Sequence, residues 1–174
     1  MGKCNVAVFD LDGTLWKVNS HYEILNLYYN TTFWTSFIYK ALYKISQTFG
    51  DFIRDKYFHK IPESFIDNVK FDFDDKIVSL LENKRNQGYE ILIISNAPNE
   101  IIVKNAALRL NCKYICAGVG EKYKALVQSY SYNELFVCTD NPTDIDLLEK
   151  STSCHIITTK RTRAFFAKKG FNVE

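Results

Sequence analysis

The sequence predicts an α/β protein, a doubly wound parallel sheet carrying a helical insertion after its first strand. Three observations lead there. Short, continuous, β-branched-rich apolar runs recur along the chain, as buried parallel strands require. Stretches of helical periodicity separate them, and strands alternating with helices imply a parallel sheet. One long aromatic stretch, residues 16–70, lacks strand punctuation altogether.

The apolar runs are residues 5–9, 89–94, 113–117, 135–138 and 154–158. The first ends in Asp-Leu-Asp-Gly-Thr and the second in Ser-Asn-Ala-Pro. Between them, Ile77, Leu80, Leu81 and Lys84 follow helical spacing, and Gly88 supplies a stop before the second strand. Pro98 suits the first turn of a helix running through Ile101, Ile102 and Ala106 to Leu110. Residues 124–130, 143–150 and 162–169 read as three more helices. The predicted organisation is therefore a core of residues 1–15 and 71–174, with residues 16–70 as the insertion. In that insertion Trp34, Phe37, Ile38, Leu42, Ile45, Phe49, Phe52 and Ile53 recur at mostly helical spacing, which predicts a packed helix face.

Composition excludes several classes of function. A net charge of +2 is too small to imply nucleic acid as a partner. Lys160, Arg161 and Arg163 form a short basic cluster that reads as solvated surface. The five cysteines, Cys4, Cys112, Cys116, Cys138 and Cys154, are odd in number and contain no CxxC pair. Three of them sit in strand-like runs, which predicts reduced, buried thiols and argues against a zinc knuckle. The chain runs from Met1 straight into a strand without a signal-peptide pattern, and no stretch approaches 18 uninterrupted apolar residues. A cytoplasmic protein without a membrane span is the expectation. His21, His59 and His155 share no ligand spacing and are expected to be structural.

In α/β sheets, ligands bind at the carboxyl ends of the strands. Asp10 and Asp12 follow the first run, Ser95 closes the second, and Asp140 and Asp144 follow the fourth, while Lys122 opens a helix. Carboxylates from two separate strands make an oxygen-rich site suited to a hard cation such as Mg²⁺. A hydroxyl and an ammonium beside that cation could hold phosphate oxygens, and phosphoryl transfer needs chiefly positioning and charge stabilisation.

The same residues carry a resemblance. Val-Ala-Val-Phe-Asp-Leu-Asp-Gly-Thr-Leu at 6–15 resembles the first motif of the haloacid dehalogenase-like (HAD) phosphatases. Ile-Leu-Ile-Ile-Ser-Asn-Ala-Pro at 91–98 is similar to the second, Gly-Glu-Lys-Tyr-Lys-Ala-Leu at 120–126 to the third, and Cys-Thr-Asp-Asn-Pro-Thr-Asp-Ile-Asp-Leu-Leu at 138–148 to the fourth. All four occur in the family's order. The nearest branch is the phosphoserine-phosphatase-like one, with a Rossmann-like core and a small helical cap after the first motif. The resemblance implies that Asp10 is a nucleophile forming a phospho-aspartyl intermediate and that Asp12 is the general acid/base. It implies Mg²⁺ held by Asp10, the Asp12 main-chain carbonyl and Asp140, with Asp144 supporting from behind. Ser95 and the adjacent Asn96 are the implied phosphate contacts. Lys122 is the better match for the lysine that offsets the negative charge, with Lys124 as the alternative.

The implied activity is hydrolysis of a phosphomonoester on a small molecule or lipid headgroup. The alternative is a non-catalytic module of the same fold that binds a phosphorylated ligand or partner. Where phosphoserine phosphatases carry a Glu that reads the substrate ammonium, this chain has Asn19, with Glu23 one helical turn on, which argues against phosphoserine. A phospho-receiver domain does not fit, because the aspartate pair follows the first strand. Phe33, Trp34, Phe37 and Tyr39 suggest a weak membrane-surface contact through the cap.

Overall fold

Five strands and nine α-helices form among residues 4–173, which the computed structural model describes. The strands are β1 (Cys4–Phe9), β2 (Tyr89–Ser95), β3 (Lys113–Cys116), β4 (Tyr132–Thr139) and β5 (Ser153–Ile156). They pair in parallel in the order β3-β2-β1-β4-β5. β1 lies at the centre, and Val6, Ala7, Val8 and Phe9 are all buried, as a strand covered on both faces requires. The chain lays β2 and β3 to one side of β1, then returns to lay β4 and β5 on the other. That reversal puts the topological switch point between β1 and β4, where α/β sheets open a crevice beyond the strand ends.

Four helices cover this sheet in chain order after the insertion. They are α5 (Asp75–Asn86), α6 (Glu100–Arg109), α7 (Lys122–Ser129) and α9 (Lys160–Lys168); a single turn, α8 (Ile145–Leu148), precedes β5. The ends of α5 follow local chemistry. Asp74 accepts from the Lys76 and Ile77 amides at 2.9 and 3.4 Å, Lys84 and Arg85 occupy the last turn, and Gly88 follows at φ +85°. One face of the sheet packs Val6, Val8, Leu92, Ile94, Leu135 and Val137 against Leu126, Leu147, Leu148 and Phe166.

Several expectations need correction. Pro98 lies ahead of α6 and not within it, because Asn99 caps the helix by accepting from the Ile101 amide at 2.8 Å. The helix expected over 143–150 is a 3₁₀ turn, Pro142–Asp144, followed by α8. Asn141 caps that turn and Thr139 draws the Asp144 carboxylate inward at 2.7 Å, so local hydrogen bonds shorten it. β4 begins at Tyr132, ahead of the apolar run, since its first residues pair with β1 while Asn133 and Glu134 stay exposed. Cys138 is buried and Cys154 half-buried, but Cys116 is exposed at the end of the edge strand β3; all five thiols are free.

The chain divides into two compact units. The one just described comprises the chain up to Lys17 and from Asp72 onward, and the other is Val18–Phe71. Within the first unit the outgoing and returning segments are tied together. The Asp74 amide donates to the Leu15 carbonyl at 2.8 Å, Lys17 pairs with Asp74 at 3.1 Å, and Trp16 stacks on Phe73.

The second unit is helical: α1 (Ser20–Tyr28), α2 (Phe37–Ile45), α3 (Gln47–Phe58) and α4 (Glu63–Asn68). The Asn26 side chain organises its interior, accepting from the Trp34 amide at 3.1 Å and donating to Thr35 at 3.0 Å. Trp34, Tyr39, Phe58, Ile61 and Ile66 are buried here, and the Tyr39 hydroxyl donates to the Gly50 carbonyl at 3.1 Å. The stripe expected to pack does not. Trp34 is buried and Ile53 half-buried, but Phe37, Ile38, Leu42, Ile45, Phe49 and Phe52 are exposed. Tyr39 and Tyr43 turn inward on α2 instead, with their hydroxyls bonded to the Gly50 carbonyl and Asp51 carboxylate, and this rotates the purely apolar set outward.

Candidate active site

β1 hands its register directly to the first candidate residue. The Asp10 amide donates to the Cys138 carbonyl at 2.9 Å, one step beyond the β1–β4 ladder, so the Asp10 backbone is fixed by the sheet. The chain then turns sharply. The Thr14 and Trp16 amides donate to the Leu11 carbonyl at 3.3 and 2.9 Å, and Gly13 sits at φ +75°. A Cβ on Gly13 would lie 2.2 Å from Asp140 Oδ2, so glycine is required both by the turn and by the approach of Asp140.

Asp140 follows β4 and is bound to the same turn. Its amide donates to Thr14 Oγ1 at 3.0 Å, and the Thr14 hydroxyl donates to Asp140 Oδ1 at 3.2 Å. Lys122 reaches the cluster from the first turn of α7. Its ammonium donates to Asp10 Oδ1 at 2.8 Å and to Asp144 Oδ2 at 2.7 Å, and Thr139 donates to the same Asp144 oxygen at 2.7 Å. The Lys122 side chain is only 3% exposed. Lys124 is 71% exposed and lies 4.0 Å from Glu121, so it does not enter the cluster. The α7 N-terminus is itself held by Asp146, which accepts from the Tyr123 amide at 2.8 Å.

Burial and crowding set the electrostatics. Asp140 is pushed up to about 6 by burial and by the charge of Asp10, against the pull of the Thr14 hydrogen bond. Asp144 is pushed up to about 6 for the same two reasons, although Lys122 and Thr139 pull it back. Burial opposes the charge on Lys122, but Asp10 and Asp144 outweigh it and hold the ammonium above the ordinary lysine range. Two carboxylates thus share the Lys122 ammonium while Asp140, close enough to feel the charge of Asp10, has no cation of its own, which leaves surplus negative charge in a largely buried site.

That surplus fits a hard divalent cation. Among the described residues no three His, Cys, Asp or Glu side chains form a ready-made cage. The donors implied here are sparser, two carboxylates (Asp10 and Asp140) and the Asp12 main-chain oxygen, and Mg²⁺, which keeps several waters, accepts such a set.

The remaining candidates lie at the same carboxyl edge. Ser95 is buried at the end of β2, with its carbonyl accepting from the Ala117 amide at 3.0 Å. Asn96 is exposed and Asp12 half-buried. Among the described residues, neither Ser95 nor Asn96 hydrogen-bonds to the Asp10–Lys122–Asp144 chain. Sequence reasoning missed Thr14, Thr139 and Asp146 as supports. Thr14 was visible inside the first motif and Thr139 beside Asp140, but Asp146 gave no signal. Burial drives the Cys138 thiol far up, so beneath Asp10 it stays neutral. His155 lies exposed on β5 and outside the cluster.

No protein-family model matches the chain, and no curated protein sequence matches it significantly. Solved structures do. A protein of unknown function from Bordetella pertussis Tohama I superposes with a TM-score of 0.73 at 14% identity, covering 99% of this chain and 98% of that one. A substrate-bound phosphoserine phosphatase gives 0.61 at 14% identity, with 97% and 99% covered. A phospho-aspartyl intermediate analogue of phosphoserine phosphatase gives 0.58 at 14% identity, again over 97% and 99%. The fold is that of phosphoserine phosphatases. At these identities the likeness is one of fold, and the chemistry of this chain has to be argued from its own residues.

Proposed function

We propose that this HAD-like chain is a Mg²⁺-dependent phosphomonoesterase. The observation that carries the reading is the buried Asp10–Lys122–Asp144 chain at the switch point, with Asp140 tied beside it through Thr14. A plain structural ion pair has no need of a second carboxylate on the same ammonium and a third, Asp140, beside Asp10, since each buried uncompensated charge is costly.

Lys122 engages Asp10 Oδ1, which leaves Oδ2 as the attacking atom. In the first step that oxygen bonds to phosphorus and the bond from phosphorus to the ester oxygen breaks. The Asp12 carboxyl gives its proton to the departing oxygen. In the second step the Asp12 carboxylate takes a proton from water, the water oxygen attacks phosphorus, and the bond to Asp10 breaks, releasing phosphate and restoring the enzyme. Lys122 holds the Asp10 carboxylate in place and offsets the charge gathering there. Ser95 and Asn96 at the end of β2 bind phosphate oxygens. Asp10, Asp140 and the Asp12 carbonyl would hold Mg²⁺, which would supply positive charge to offset that of the phosphate.

The substrate is a small-molecule or lipid-headgroup phosphate other than phosphoserine. Asn19, at the position where an ammonium-reading Glu is expected, is engaged within its own unit as the N-cap of α1, accepting from the Tyr22 amide at 3.3 Å. A capping carboxamide offers a substrate ammonium no charge.

Hydrolysis of a generic aryl phosphate tests the proposal. Wild-type turnover that requires Mg²⁺, stops in EDTA and vanishes in Asp10→Asn supports it. Absence of turnover across a broad phosphomonoester panel, in folded protein that binds phosphate calorimetrically, would overturn it in favour of a binding module.

A further inference from the structure

The helical unit exposes an apolar surface that the proposed chemistry does not use. On α2, Phe37 is 85% and Ile45 83% exposed, with Ile38 and Leu42 also open to solvent. At helical spacing these four residues and Ala41 share one continuous side of α2. α3, which packs against α2, adds exposed Phe49 and Phe52. Scattered single apolar side chains on a surface need no explanation, but six large ones on two adjoining helices do.

Charge indicates what covers them. Between Glu23 and Asp51 the sequence contains no acidic residue, so α2 and its flanks carry only positive charge, from Lys40 and Lys44. Both lysines are exposed, and their spacing places them beside the apolar side, next to Phe37. On α3 the Lys56 ammonium lies 5.9 Å from the Phe52 ring centre, and Lys60, just past its end, lies 5.2 Å from that of Tyr57. An apolar helix face bordered by lysines whose stems run along aromatic rings is the pattern of a helix lying in a bilayer interface, with its ammonium groups at the level of the lipid phosphates. α2 and α3 have nine and twelve residues, and no helix among the described residues is long and apolar enough to cross a membrane. Trp34 and Tyr39 take no part, being buried inside the unit.

We infer that the α2–α3 face docks on the surface of membranes containing anionic lipid, with Phe37, Ile38, Leu42, Ile45, Phe49 and Phe52 entering the interface and Lys40, Lys44 and Lys56 meeting headgroup phosphates. The inference stands independently of the phosphatase reading. Held together, the two favour a headgroup over a freely diffusing substrate.

Vesicle co-sedimentation tests it with the full chain. Wild-type protein should pellet with phosphatidylcholine vesicles carrying roughly 30 mol% phosphatidylserine and far less with phosphatidylcholine alone. Lys40→Gln/Lys44→Gln should weaken binding to the anionic vesicles by roughly 25-fold, at about fivefold per lysine. Phe37→Ser/Ile45→Ser should abolish pelleting, while aryl phosphate turnover by both variants stays at the wild-type level. Failure of folded wild-type protein to pellet with anionic vesicles sinks the inference. So does a wild-type dimer that Phe37→Ser/Ile45→Ser converts to monomer, because the face is then an interface between copies. Loss of turnover in Asp10→Asn with pelleting unchanged separates this inference from the catalytic one.

Discussion

Gly13 offers the sharpest test of how the candidate site is built. Its replacement by Ala incurs two separable costs. The first is conformational: at φ +75° a Cβ meets its own backbone, which costs roughly 1–2 kcal/mol. The second is local, because the new methyl would stand 2.2 Å from Asp140 Oδ2, 2.6 Å from its Cγ and 2.8 Å from Oδ1. No real contact is that short, so Asp140 must swing away, giving up its hydrogen bond from Thr14, or the turn must shift, at roughly 1–3 kcal/mol. Gly88→Ala is the natural control. Gly88 has φ +85° but nothing within 4 Å of the added Cβ, so it incurs only the first cost. In urea or thermal unfolding, Gly88→Ala should lose about 1–2 kcal/mol, or roughly 2–8 °C in Tm, and Gly13→Ala about twice that. The difference in function should be larger. Displacing a carboxylate by about 1 Å lowers turnover by roughly 100-fold, with weaker Mg²⁺ binding by calorimetry, whereas Gly88→Ala leaves both intact. Equal stability and equal turnover in the two variants would refute the close approach of Gly13 to Asp140 and the role assigned to it.

Three further outcomes follow from the same geometry. Lys122→Met should abolish turnover and cost about 3–5 kcal/mol in urea unfolding, since it strands Asp10 and Asp144; Lys124→Met, on an exposed side chain, should stay within about 0.5 kcal/mol of wild type. Mg²⁺ affinity measured by calorimetry should fall about tenfold per pH unit below about pH 6, where Asp140 is protonated and has to release its proton to ligate; constant affinity from pH 7.5 to 5 would exclude Asp140 as a ligand. His21 packs edge-on against Phe58 with its side chain 12% exposed, its Nε2 lacks a hydrogen-bond partner among the described residues although Asp55 Oδ1 lies 3.8 Å away, and burial depresses it from 6.5 to about 3. A base depressed by folding stays neutral in the native state while the unfolded imidazole takes up a proton. Its contribution is therefore intact above pH 6.5 and lost as the pH falls from there towards 3, at about 2 kcal/mol by pH 5. Asp140 and Asp144, raised by folding, act with the opposite sign over the same range, so the measurement is the wild-type urea midpoint minus that of His21→Phe, at pH 7.5 and at pH 5.

Much of the sheet was legible in the chain because a parallel strand buried on both faces writes its own signature. Residues 6–9 and 91–94 are continuously apolar, and their shortness and β-branched content mark such runs as strands and not buried helix. The Asp10–Asp12 turn was legible because a Gly in a left-handed turn leaves a visible mark after the strand. Boundaries governed by a few hydrogen bonds were harder to see. The 3₁₀ turn at Pro142–Asp144 depends on Thr139 and Asn141 reaching particular atoms, and β4 begins early because β1 offers it partners.

Local pattern therefore determined the strand order of appearance, the alternation with helices and the carboxylates at the strand ends, since each follows from contacts a few residues apart. Tertiary structure alone decided the rest. Lys122 and Lys124 are two residues apart on one helix and so point about 200° apart, and only the placement of α7, held by Asp146 at the Tyr123 amide, decides which is buried with Asp10. Likewise, periodicity showed that the helices of the second unit carry an apolar side. It could not show that side left bare, because burial depends on what packs opposite, and here Tyr39 and Tyr43 with bonded hydroxyls took the inner face and turned Phe37 and Ile45 to solvent.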